Sequence, residues 1–77
     1  ANPKHSLTAN ATYWYGETFY AQQKYEQAAR IFAGSYRDFP KGPKAADSLL
    51  KLGLSLAGND KTKEACVAFK QLKKEFG

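Results

Sequence analysis

The sequence predicts an all-α fold: two copies of a helix-turn-helix unit stacked into a short solenoid of four antiparallel helices. Three observations carry the prediction. The chain repeats itself at a spacing of 37 residues. Each copy places small and apolar residues at helical intervals, and residues that favour turns separate the stripes. Repetition at a period of roughly 20 to 50 residues marks stacked units, none of which buries a core alone.

Sliding the sequence by one period superimposes Pro3-Lys4 on Pro40-Lys41, Ala9 on Ala46, Gly16 on Gly53, Lys24 on Lys61, Ala28 on Ala65, Phe32 on Phe69 and Phe39 on Phe76. Conservative pairs fill the gaps: Asn10 falls on Asp47, Tyr15 on Leu52, Phe19 on Leu56, Ala29 on Cys66 and Asp38 on Glu75. The matched positions are mostly small or apolar, as repeated core positions are.

The first helix of unit one is read from Thr12, Tyr15, Gly16 and Phe19, spaced i, i+3, i+4, i+7, and that of unit two from Leu49, Leu52, Gly53 and Leu56. Polar breaks follow at Gln22-Gln23-Lys24 and at Gly58-Asn59-Asp60, where Gly58 is expected to supply a left-handed C-terminal cap and Asp60 an N-cap. The second helices are read from Ala28, Phe32, Ser35 and Phe39, then from Ala65, Phe69, Leu72 and Phe76. Pro40 and Pro43 punctuate the boundary, since proline starts a helix well and cannot sit inside one. One domain spans residues 1–77, with repeat one over about 6–40 and repeat two over about 43–77.

Gly16, Phe19, Ala28, Phe32 and Pro40 resemble, at their relative spacing, the glycine, aromatic, alanine, phenylalanine and proline of a tetratricopeptide (TPR) repeat, and Gly53, Leu56, Ala65 and Phe69 do so again. The period exceeds the usual 34 through Lys41-Gly42-Pro43-Lys44, and Thr12 and Leu49 stand where an early tryptophan is common. Three segments carry a narrower resemblance: Ala11-Thr12-Tyr13-Trp14-Tyr15-Gly16-Glu17, Phe39-Pro40-Lys41-Gly42-Pro43-Lys44-Ala45-Ala46-Asp47-Ser48 and Leu50-Lys51-Leu52-Gly53. They are similar to the C-terminal TPR region of the periplasmic Tol-Pal associated repeat proteins, the cell division coordinators of Gram-negative bacteria. That resemblance implies a periplasmic location, a TolA-like partner or the peptidoglycan synthesis machinery, and a part in coupling outer-membrane constriction to septal wall synthesis. A scaffold of outer-membrane protein assembly, which uses similar repeats, is the alternative within the class.

Seventy-seven residues, 43% of them hydrophobic and 14% aromatic, make one small folded domain. Ordering so short a chain costs about as much as its core returns, so a fragment or an oligomer is expected. The chain begins at Ala1 without a leader pattern, so compartment is not read from its N-terminus. Its longest nearly apolar run, Leu49 to Ala57, falls far short of the ~20 residues that cross a bilayer, and no membrane insertion is expected. The formal charge of +5 invites a nucleic-acid reading, the alternative from another class. The excess is spread over both halves, no Lys/Arg cluster exceeds Lys73-Lys74, and a solvated lysine-rich helix face explains it better, so no nucleic-acid partner is expected.

No catalytic constellation emerges. One histidine, His5, on the N-terminal connection and one cysteine, Cys66, cannot form a metal site or an intramolecular disulfide, so neither enzyme, metal nor cofactor is expected. Cys66 aligns with Ala29 and is expected to be a small buried residue, with a redox or crosslinking role the lesser alternative. Asn10-Ala11-Thr12 matches a glycosylation tripeptide, but it lies within a helical stretch and is taken as accidental.

Function is expected on the faces that the first-helix stripes leave free. These present Asn10, Tyr13, Glu17 and Tyr20, with Trp14 at the border, and then Asp47, Leu50 and Leu54. In the TPR family such positions line a partner-binding groove, and Tyr and Trp are favoured anchors. Trp14 and Tyr13 packing against a preceding or symmetry-related unit is the alternative. A carboxylate clamp is not expected, because Tyr13 and Glu17 stand where that clamp needs Lys and Asn. The side formed by Phe69, Leu72 and Phe76 has no following unit in this sequence to cover it, so self-association through the repeat ends is expected.

Overall fold

The computed structural model describes residues 3–77, with side chains from Thr8 onward. Four helices form among the described residues: α1 (Pro3–Ala21), α2 (Tyr25–Asp38), α3 (Ala45–Gly58) and α4 (Thr62–Phe76). Pro3 to His5, expected as a connection, belong to α1, while their side chains lie outside the described residues. Consecutive helices pack on one another, α1 on α2, α2 on α3 and α3 on α4, as in a stack of hairpins.

The two hairpin turns are copies of each other. Gln23 and Asp60, one period apart, both take φ of 60°. The N–H of Lys24 donates to Phe19 O and that of Gln23 to Tyr20 O; Lys61 donates to Leu56 O and Asp60 to Ala57 O in the same way. This pair of bonds satisfies carbonyls that the helix end leaves open, with the left-handed residue just past the cap. The expectation for Gly58 is therefore corrected: it is the last residue of α3, no glycine takes a positive φ, and Asp60 occupies the left-handed position. Asp60 is not the N-cap of α4 either. Lys61 holds that position, without a side-chain cap bond.

What Gly58 supplies is room. A Cβ there would meet the Tyr25 ring at 2.8 Å, so the ring at the start of α2 rests directly on the end of the α3 backbone. Gly16 and Gly53 act similarly within each hairpin. A Cβ on Gly16 would lie 2.7 Å from Phe32 Cε1, and one on Gly53 2.8 Å from Phe69 Cδ1, so each phenylalanine seats on the bare backbone of the facing helix. Phe32 is fully buried, a contribution of about 1.5 to 3 kcal/mol relative to exposure.

The inward face of α1 is not the stripe the spacing predicts. Ala9, Tyr13 and Gly16 are buried, and Tyr13 joins Ala28 and Phe32 in the core with its ring 5.5 Å from that of Phe32. Tyr15, expected inside, is 58% exposed. The repeat explains this. Its counterpart Leu52 packs against the Tyr13–Phe32 cluster of the preceding hairpin, whereas α1 has no preceding hairpin among the described residues.

Between hairpins, the hydroxyls of Ser35 on α2 and Ser48 on α3 lie 3.0 Å apart in full burial, each the other's partner. Ala29 is buried there too, yet Cys66, its counterpart on α4, is exposed, which corrects the burial expected for that thiol. On α4 Phe69 and Leu72 are half-buried and Phe76 is exposed. The register is the same on both second helices, but among the described residues α2 is packed by α1 and α3 whereas α4 is packed by α3 alone.

Candidate partner-binding groove

The face shared by α1 and α3 is built on two lysines. Lys44, at the N-cap of α3, holds its ammonium 5.0 Å from the Tyr13 ring centre and 5.3 Å from that of Trp14. Lys51, about two turns further along α3, reaches Glu17 Oε1 at 3.2 Å and stands 4.6 Å over the Tyr20 ring. Both lysines thus hold α1 against α3 through ring faces and a carboxylate. Cation–π contacts of this kind contribute ~0.5 to 1 kcal/mol at exposed sites and more when desolvated.

The residues predicted for the site divide into two groups. Glu17 and Tyr20 are half-buried, and Tyr20 is also engaged by Tyr25, ring centres 5.6 Å apart. They form the floor. Tyr13 is only 6% exposed and belongs to the core, which corrects its placement as a free aromatic of the groove. Burial first, then the carboxylates of Glu17 and Asp47, push its hydroxyl up to about 12. Asn10, Trp14, Asp47, Leu50 and Leu54 are exposed, Trp14 by 53% and edge-on to Tyr13 at 5.3 Å.

Lys44 and Lys51 were not legible as site residues. Lys51 reads in sequence as a flaw in an apolar run and Lys44 as part of a connection, and only the side-by-side placement of α1 and α3 turns them into ties. The resulting surface offers an indole, two leucines and both signs of charge on rigid helices, with no nucleophile-and-base pair. Among the described residues no group of three or more His, Cys, Asp or Glu gathers as a metal site, and no helix is long and apolar enough to cross a membrane.

A stack of helical hairpins that shows a mixed aromatic and aliphatic strip defines a repeat-type module for protein–protein interaction. Two tetratricopeptide repeat family models match the chain, one over residues 2–43 and one over residues 47–77. The chain belongs to the tetratricopeptide repeat family. Comparison with curated proteins and with solved structures finds no match.

Proposed function

We propose that this chain is the partner-docking module of a Tol-Pal type envelope system, working in the periplasm to link outer-membrane constriction to septal peptidoglycan synthesis, with a TolA segment on the α1–α3 face. The observation that carries the docking face is the exposure of Trp14, Leu50 and Leu54 above a floor fixed by the Lys51–Glu17 pair. Rigid, exposed apolar side chains beside charged ones are what a partner helix or peptide needs for anchoring and register. The three segments around Tyr13-Trp14-Tyr15, Phe39-Pro40 and Leu50-Lys51 support the particular system.

Titrating a TolA fragment into the chain by calorimetry, in dilute solution, tests both levels. Trp14→Ala removes an anchor worth about 2 kcal/mol, which is about thirtyfold in Kd. Lys70→Ala, an exposed charge on α4, leaves the affinity unchanged. Unchanged affinity in Trp14→Ala with a lowered melting temperature would mean that the indole serves packing alone and would overturn the groove. Absence of TolA binding by the wild-type chain would overturn the Tol-Pal assignment.

A further inference from the structure

The two ends of the stack match each other. Within the chain, four pairings join the hairpins: Ser35 with Ser48, Lys51 with Glu17 and Tyr20, the Tyr25 ring over Gly58, and Leu52 against the Tyr13–Phe32 cluster. Advancing the first hairpin's partner by one period and moving the second's back by one gives the pairs that would join the end of one copy to the start of another. Leu72 then meets Ala11, Trp14 meets Leu54 and Ala57, Thr62 meets Ala21, and Tyr15 meets Phe69 and Leu50.

Each pair changes as a unit. Two hydroxyls that need each other become leucine and alanine. An ion pair becomes tryptophan and leucine, so no lone charge is left to desolvate. A tyrosine on a glycine becomes a threonine on an alanine, which keeps the combined bulk moderate. Tyr15, 58% exposed, stands where Leu52 closes the internal cluster, and Leu50, 40% exposed on α3, stands one period on from Tyr13 of that cluster. Ends adapted to water would carry polar residues at these positions singly, without regard to the opposite end.

We propose that a second copy of this chain docks head-to-tail, its α1 covering the outward face of α4 just as α3 covers α2 within one chain. The contact is heterologous, because the surfaces differ, so the copies continue the solenoid as an open chain. This reading draws on Trp14, Leu50 and Leu54, which also line the α1–α3 groove, but the substitutions below avoid those residues, so failure of the one reading does not decide the other.

The test uses one blocked end at a time. Tyr15→Glu leaves the α4 face intact, and Leu72→Glu leaves the α1 face intact. In sedimentation, the wild-type mass rises with concentration, each variant alone remains a monomer, and their mixture stops at a dimer of twice the monomer mass. A monomeric wild type at every concentration, a variant that associates like wild type, or a mixture that stays monomeric overturns the proposal. A crosslink supplies an independent reading should Leu72→Glu fail to fold. The Ser35–Ser48 and Tyr25–Gly58 pairings bracket buried Ala29 and put it at the level of buried Ser55, so Cys66 faces Thr18 of the next copy. Under dioxygen with a copper catalyst, which takes up the two electrons of the thiols, Thr18→Cys gives a ladder of disulfide-linked multimers that Cys66→Ser in the same chain abolishes. Dimers of wild type through Cys66 to Cys66 would mean symmetric pairing of α4 faces and would overturn the head-to-tail arrangement.

Discussion

Gly16→Ala sets two physical effects of opposite sign against each other. Inside a helix, replacing glycine by alanine stabilises by ~1 kcal/mol through backbone entropy. At this position the new methyl would lie 2.7, 2.9 and 3.0 Å from Phe32 Cε1, Cζ and Cδ1. Phe32 is 0% exposed, so its ring has nowhere to withdraw and the helices must separate or the ring leave its rotamer, at a cost of about 1 to 3 kcal/mol. The clash wins: we expect a net loss of about 1 kcal/mol, or ~4 to 8 °C in melting temperature for a domain of this size. Gly53→Ala makes a still shorter approach to Phe69, but that ring is half-exposed on a helix with no further helix over it among the described residues and can swing outward, so its loss is smaller. Urea and thermal unfolding followed by circular dichroism on dilute samples measure both. A Gly16→Ala chain more stable than wild type, as helix propensity alone demands, or one that loses no more than Gly53→Ala, would refute the reasoning.

Alkaline pH should act through Tyr13. Its hydroxyl is held up to about 12 in the folded chain, against an ordinary value near 10, so ionisation favours the unfolded chain. The stability tied to neutral Tyr13 is complete below pH 10 and is lost as pH rises through 12, at most about 2 to 3 kcal/mol. Tyr13→Phe should flatten the stability curve in that window, and parallel curves for the two chains would count against it. At the first hairpin turn, Gln23→Gly should raise the urea midpoint by about 0.5 to 1 kcal/mol equivalent, because φ of 60° is strained for a residue with a Cβ and free for glycine. Asp60→Gly should gain less, since aspartate tolerates that region better, and a loss in both would argue against the turn geometry.

The repeat, the number and order of helices and the two polar breaks all follow from the sequence, because helical spacing and chain breakers are local properties, whereas the seating of Phe32 on Gly16 and of Phe69 on Gly53 is set by how the helices pack. The inner side of α1 does not. Tyr13, Trp14, Tyr15, Phe19 and Tyr20 put aromatic rings all around that helix, so an apolar stripe can be drawn through Tyr15 as readily as through Tyr13. The choice falls to α3, whose Leu52 and Lys44 close over Tyr13 and leave Tyr15 in solvent. Three of the eight predicted groove residues, Tyr13, Glu17 and Tyr20, are accordingly floor or core rather than open surface, and the lysine ties depend on α1 and α3 lying side by side.

Cys66 shows the same limit from the other end. Its place in the helical register equals that of buried Ala29, and local sequence carries no other information about it. Burial is a property of what lies opposite a residue. In a stack that depends on the number and order of the hairpins, so identical positions one period apart end in core or in solvent according to whether another helix follows.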